Sequence, residues 1–424
     1  MFQAVKPVIQ VLIAVVFMEG GLGILAPLVA LELARTGVGA GAIGLVTSAY
    51  FAGFLAGTLT GHRVIDRVGH IRAFAVFAAL AANAALAHIL TTDTLLWIAL
   101  RIVLGYAFAG LFVIVESWLN DKATGATRGR IFAVYMVASW AATGVSPLAL
   151  NFEDRLGTTL LIAIVAMLLT TALVSMALTR VGNPEIGHRE HFGIGRLFRV
   201  SPSGVTTCFA SGFVMTAFYG LLPAYTEAKG LTTGQLAVVY SASTIAGLVI
   251  QYPVGMLADR LGRRPLMVAC AAGGAAIAGA VALLGVPSFA VLLALLFTLE
   301  GIVAPLYALG VGQTNDYIER KDFVAASAGL LFAWGLGAAI GPVAAGVVMA
   351  RMGADGLFWF VAAGLAATAL FLLVRIAVRH AKAAREQGNY VAVPLTPGTY
   401  GAPEMDPRAE SEPPEAGVRD SGLP

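Results

Sequence analysis

Apolar stretches of about 20 residues, the length that spans roughly 30 Å of hydrocarbon at about 1.5 Å per helical residue, recur along the chain with brief polar breaks. They run over 7–33, 42–60, 73–91, 95–118, 131–151, 158–180, 203–225, 235–257, 266–286, 288–312, 325–350 and 356–378. The pattern predicts twelve transmembrane helices, an all-α integral membrane fold with no strand. The first span is too long for the apolar core of about 7 to 15 residues in a cleavable signal, and Glu19 interrupts it, so it is expected to be retained as helix one.

Composition explains why these stretches must meet lipid. The 424 residues are 58% hydrophobic and 12% charged, against about 25% charged in a typical soluble domain, so one water-soluble core cannot bury the excess. The lipid bilayer is the first partner implied. Cys208 and Cys270 both fall inside predicted helices, which leaves no disulfide framework. The net charge of +3 gains meaning only when placed on the spans. Sixteen lysines and arginines border one side before the tail, whereas Arg35, Arg155, Lys229 and Arg351 are the four on the other. By the positive-inside rule both termini are expected in the cytoplasm, and the basic residues report orientation, not nucleic-acid binding.

The chain repeats at an offset of about 194. Ser48-Ala49 recurs as Ser241-Ala242, Asp66-Arg67-Val68-Gly69 as Asp259-Arg260-Leu261-Gly262, Asn120-Asp121 as Asn315-Asp316, and Pro147 as Pro342. The expected organisation is a six-helix bundle over 1–180, a cytoplasmic linker over 181–202, a second bundle over 203–379 and a disordered tail over 380–424. Two hexads of the same orientation imply pseudo-symmetric bundles around a midplane site, which is a transporter architecture. His188 and His191 have a metal-ligand spacing, but a solvated loop accounts for them and no metal site is assigned.

At the end of the eighth span, Gly255-Met256-Leu257-Ala258-Asp259-Arg260-Leu261-Gly262-Arg263-Arg264 resembles the loop signature of the major facilitator superfamily, and the resemblance extends over residues 7–378. In that family such loops latch one conformational state. The resemblance implies a latch role for Gly255, Asp259, Arg260, Gly262, Arg263 and Arg264, and for Asp66, Arg67 and Gly69 in a degraded first copy, in which His70-Ile71-Arg72 replaces the paired arginines. Asp259 is expected at the start of helix five near Ile131 and Asp66 at the start of helix eleven near Val324, with the arginines anchoring the loop in the cytoplasm. Leu100-Arg101-Ile102-Val103-Leu104-Gly105 is similar to the fourth-helix motif linked to proton coupling. Gly337-Ala338-Ala339-Ile340-Gly341-Pro342 resembles an antiporter motif, which favours export. Glu116-Ser117-Trp118-Leu119-Asn120 resembles a poorly characterised bacterial branch.

An ionised side chain near the bilayer centre costs about 2.5 to 3.5 kcal/mol on insertion scales, so each one in a span is a functional hypothesis. Glu19 lies roughly 18 Å into helix one and Glu300 a similar distance into helix ten, while Arg101 lies about 9 Å into helix four. Glu19 reads as a proton or cation site or as a structural partner of Arg101. Glu300 reads as protonatable or as a neutral, hydrogen-bonded acid, and Arg101 as a coupling or anion-binding residue or a helix tether. The resemblance implies that helices one, four, seven and ten line the central cavity, and helical spacing on them adds candidates Gly23, Gly105, Phe108, Ala304 and Tyr307, and on helix seven Met215, Tyr219 and Leu222. Glu116, within a turn of the cytoplasmic end, is expected to pair with Arg67, Arg72 or Arg130. Gly53, Gly57 and Gly61 mark a close-packed face of helix two.

Together with the resemblance, these residues imply a monomeric, proton-coupled secondary transporter of a small organic solute working by alternating access. No phosphate-cradling Gly-Lys-Ser/Thr loop is present, so ATP is not the energy source and no cofactor is assigned. A membrane sensor or assembly factor on the same fold is the alternative. A membrane-embedded enzyme is a third reading, disfavoured because no His-rich or paired-carboxylate cluster is present.

Overall fold

The computed structural model describes residues 6–123, 127–178, 193–286, 288–319, 322–378 and Gln387. The linker around His188 and His191 and the tail, apart from Gln387, lie outside the described residues, as do the structural expectations attached to them. Among the described residues there are only helices and their connections. The membrane helices are α1 (Ile9–Arg35), α2 (Ala40–Thr60), α3 (His70–Ala87), α4 (Thr94–Lys122), α5 (Arg128–Val145), α6 (Glu153–Ala177), α7 (Pro202–Ala228), α8 (Thr233–Leu261), α9 (Arg263–Leu284), α10 (Phe289–Val303 continued as Pro305–Asn315), α11 (Phe323–Met352) and α12 (Gly356–Val378). By length and apolarity there are eleven candidate spans, but one of them, Gly129–Ala177, has 49 residues, more than twice the roughly 20 that one crossing needs. Pro147 tightens its middle into a 3-10 segment, Ser146–Phe152, and Gly157 at φ 76° turns the chain back, so it crosses twice and the total is twelve.

Prolines shape the other helices as well. Pro305 has no N–H to give to the preceding turn, and α10 breaks at Ala304 in front of it. Pro342 inside α11 likewise leaves the Ala338 carbonyl without its helical donor. The Thr216 hydroxyl of α7, 2.7 Å from the Gly212 carbonyl of its own helix, also reaches that carbonyl at 3.2 Å and bridges α7 to α11.

The first six helices pack chiefly on one another, with α2 on α4, α3 on α4 and α6, and α1 on α6 and α5. In the second six, α7 packs on α11, α9 on α12, and α8 on α10. The α2–α4 seam is close because of glycines. A methyl group on Gly105 would overlap the Tyr50 carbonyl oxygen, and one on Gly53 the Ile102 carbonyl oxygen, so the backbones touch where a side chain would hold them apart. Gly53 and Gly57 thus face α4, on the packing face expected of them.

The two halves meet along α2 with α11, α5 with α8, and α1 with α7. The Ser48 hydroxyl accepts from the Val343 N–H at 3.2 Å in the turn that Pro342 distorts. The end of the bundle where α1 ends and α2 begins is called the far end below, and the opposite end the near end.

Candidate functional site

Between the halves lies a cavity of about 200 Å³. Its walls come from α1 (Gly23, Ala26), α2 (Thr47, Tyr50, Phe51), α4 (Arg101), α5 (Trp140, Thr143), α7 (Met215, Tyr219), α8 (Tyr240, Thr244) and α11 (Trp334), among others. Among the described residues no aspartate or glutamate lines it, and Arg101 is the one charged residue that does.

Two carboxyl groups sit just behind this wall. Glu19, 1% exposed, accepts hydrogen bonds from the Ser139 hydroxyl at 2.6 Å and the Thr143 hydroxyl at 2.8 Å. Both donors come from α5, and Thr143 also lines the cavity. The Glu19–Arg101 pair, one alternative of the sequence reading, is not formed. Glu300, also 1% exposed, is hydrogen-bonded by the hydroxyl of Tyr219, itself a cavity residue, while its Oε2 atom has no partner. Each carboxyl group is therefore one hydroxyl away from the cavity.

Arg101 is 3% exposed and lies over the Tyr50 ring, its guanidinium 5.9 Å from the ring centroid. It donates one long hydrogen bond, 3.5 Å, to the Ala26 carbonyl, and its Nε has no acceptor.

The nominated cavity residues divide. Gly23, Met215 and Tyr219 line the cavity. Gly105 does not, because it is consumed by the α2–α4 seam, and Phe108 packs against Tyr50 and Phe112 in the core. Leu222 is fully buried in the core. Ala304 abuts Gly247 at the α8–α10 contact, and the Tyr307 carbonyl faces the Cys208 thiol between α10 and α7. Sequence reasoning confined to helices one, four, seven and ten does not reach Tyr50, Phe51, Trp140, Tyr240 and Trp334, which stand on α2, α5, α8 and α11. The internal repeat carried the signal: Trp140 recurs as Trp334, and aligning Ser48-Ala49 with Ser241-Ala242 superposes Thr47 on Tyr240 and Phe51 on Thr244.

At the far end a polar cluster bridges the halves. Arg35 of α1 pairs with Glu153 of its own half at 2.8 Å. It also donates to the Thr233 hydroxyl at 2.6 Å and approaches Glu227 at 3.7 Å, both in the second half.

At the near end, Gly69 (φ 80°, ψ 165°) and Gly262 (φ 85°, ψ 152°) hold the same backbone conformation, one open essentially to glycine alone, at repeat-related positions. Gly255 is buried within α8. Arg263 and Arg264 are buried, not exposed. Arg263, 1% exposed, pairs with Asp316 and donates to the Gly312 carbonyl at 3.2 Å, and Arg264 donates to the Tyr317 hydroxyl at 3.1 Å, so both lash the α8–α9 turn to the end of α10. In the first copy a neutral contact replaces them, His70 Nε2 to the Ser117 hydroxyl at 3.1 Å. Asp66, Arg67, Asp259 and Arg260 are exposed. The short helix His62–Val68 that carries Asp66 packs on α2, α3 and α4 of its own half. Glu116 is buried and takes the Tyr135 hydroxyl at 3.4 Å. Arg67, Arg72 and Arg130 are exposed and none of them pairs with it.

Two six-helix halves around a central cavity, with buried acids behind its wall and a cross-half tie at one end, define a multi-pass membrane transport protein. The sequence profile described as Major Facilitator Superfamily matches residues 11–287 and 205–407, and the chain belongs to that superfamily of secondary transporters, not to an enzyme family. An uncharacterised MFS-type transporter of Enterobacter sp. (strain 638) is 29% identical over 88% of this chain and 97% of its own. The uncharacterised MFS-type transporter YcaD of Shigella flexneri serotype 5b is 28% identical over 87% and 96%. Among solved structures, the nucleoside transporter NupG superposes with a TM-score of 0.74 at 12% identity, covering 87% of this chain and 98% of that one. A bacterial homologue of the human lysosomal transporter Spinster does so with a TM-score of 0.64 at 12% identity, covering 88% and 95%. At such identities these two report the shared fold.

Proposed function

We propose that this chain carries a small organic solute across the bacterial inner membrane in exchange for protons, with both termini cytoplasmic, as a monomer, and in the direction of export. The observation that carries the proton coupling is the placement of Glu19 and Glu300, each buried and each separated from the cavity by one hydroxyl, Thr143 and Tyr219 respectively. A carboxyl group so placed exchanges its proton through the cavity yet stays shielded from lipid. Neither acid has a cation to neutralise it, so protonation is the means of discharging it, and an ionised carboxyl in hydrocarbon is costly. The hydroxyl donors on Glu19 offset part of that cost and link its charge state to α5, which packs on α8 across the interface.

On this reading the far end faces the periplasm and is held shut by Arg35, and the cycle alternates the cavity between the two sides by rocking one half on the other. Export is supported by the Gly341-Pro342 motif of α11, where Pro342 leaves a helix that can bend.

The test is thermal stability of the purified protein at two pH values against a panel of solutes, with Glu19→Gln and Glu300→Gln beside the wild type. A ligand at 100 times its Kd stabilises by about 2.7 kcal/mol. A solute whose stabilisation depends on pH in the wild type and loses that dependence in one of the variants is expected. Variants that respond as the wild type does at both pH values would refute the coupling assignment.

A further inference from the structure

Four residues that line the cavity each carry a buried hydrogen-bond donor with no partner among the described residues. Arg101 Nε, the Tyr50 hydroxyl, Trp140 Nε1 and Trp334 Nε1 are all buried without a partner, and all four residues line the cavity. The other hydroxyls of the wall have spent their protons. Thr47 donates to the Ile43 carbonyl, Thr143 to Glu19, Thr244 to the Tyr240 carbonyl, and Tyr240 to the Tyr219 carbonyl. A buried donor left unsatisfied is costly, and a buried cation without a counter-charge more so. Arg101 is charged at any physiological pH.

The rest of the wall is apolar and aromatic, with Phe51 edge-on to Trp334 at 6.0 Å and Tyr219 beside Tyr240 at 5.4 Å. A solute that completes this site supplies acceptors and one negative charge at the Arg101 and Tyr50 end, and a flat or apolar body against the aromatic part of the wall. A cation meets Arg101 with no acid in the wall to balance it, and a neutral polyol leaves the guanidinium unpaired.

Building on the transport reading above, we propose that the substrate is an organic monoanion, a carboxylate or sulfonate on an apolar, ring-bearing body, with its acidic group on Arg101. Glu19 and Glu300 stand apart from this contact, which leaves the anion site and the proton sites as separate elements of the same cavity.

The experiment is calorimetric and thermal-shift titration of the full chain in detergent with probes sharing one ring system: 2-naphthoate and 2-naphthalenesulfonate, the neutral 2-naphthamide, and the cationic 2-(aminomethyl)naphthalene. The two anions are expected to bind about 10- to 100-fold more tightly than the amide, the worth of one or two charge-assisted hydrogen bonds, and the amine weakest. Arg101→Gln is expected to erase that preference and Arg101→Lys to keep part of it. Tyr50→Phe, which deletes one hydroxyl, is expected to weaken the anions severalfold and leave the amide unchanged. Anions that bind no better than the amide or the amine, that fail to bind the wild type, or that bind Arg101→Gln as they bind the wild type would overturn the proposal. Should Arg101→Gln not fold, Arg101→Lys and Tyr50→Phe decide in the same way. Anion binding through Arg101 with no pH dependence traceable to Glu19 or Glu300 would sink the proton reading and leave this one standing.

Discussion

Replacing Arg35 by alanine should release the far end. Its bond to Glu153 lies within one half and has no effect on the separation of the halves, so the tie consists of the Thr233 hydroxyl at 2.6 Å and Glu227 at 3.7 Å. A partly exposed ion pair contributes about 0.2 to 1 kcal/mol, and a charged hydrogen bond about 1.5 kcal/mol or more when buried. The Arg35 side chain is 32% exposed, so the sum is discounted for solvent to about 1 to 2 kcal/mol, or roughly a 5- to 30-fold shift in the ratio of open to closed far ends. Spin labels at Asp154→Cys and Ala228→Cys, in a Cys208→Ala, Cys270→Ala background in nanodiscs, report this as a distance distribution by pulsed electron resonance. Arg35→Ala should move population to the longer distance. Asp355→Asn, which breaks the 2.7 Å bond to Lys229 within the second half alone, should not. Identical distributions in Arg35→Ala and its parent would refute the tie as a determinant of the conformational balance.

Two further substitutions test the packing account by thermal denaturation. Arg263→Ala removes the arginine from its buried ion pair with Asp316, and a broken buried pair costs about 3 to 5 kcal/mol; Arg263→Ala with Asp316→Asn should recover part of the loss, and a double variant no better than the single one would count against the pair. Gly105→Ala should cost about 1 to 3 kcal/mol through overpacking, since its methyl group meets the Tyr50 carbonyl, while Gly20→Ala, with nothing within 4 Å, should be near neutral. Equal melting temperatures for the two would argue against a backbone-limited α2–α4 seam.

The fold was legible because lipid makes the hydrophobic pattern explicit: a span has to be both apolar and long enough, and the breaks coincide with prolines and glycines such as Pro147 and Gly157. The three charged residues in the spans were legible for the same reason, because each stands against a strong energetic penalty. Their partners were not. Whether Glu19 meets Arg101 or the Ser139 and Thr143 hydroxyls depends on helix rotation, which a membrane span with apolar residues on all sides does not encode. Glycines misled for a related reason: Gly105 sits one turn from Arg101, but the absence of a side chain serves the neighbouring backbone, not the cavity. The sequence motif shows that Arg263 belongs to the loop at the end of α8 but not that its side chain turns inward, because its partner Asp316 is distant in sequence.

The most direct test of the central claim is solute movement in proteoliposomes under an imposed pH gradient, using the solute that stabilises the protein most. Wild type should accumulate it against its own gradient while protons move the other way, as followed by an internal pH dye. Glu19→Gln and Glu300→Gln should still exchange solute downhill but fail to accumulate it. Accumulation that ignores the pH gradient in the wild type, or that persists unchanged in both variants, would contradict proton coupling through these two carboxyl groups.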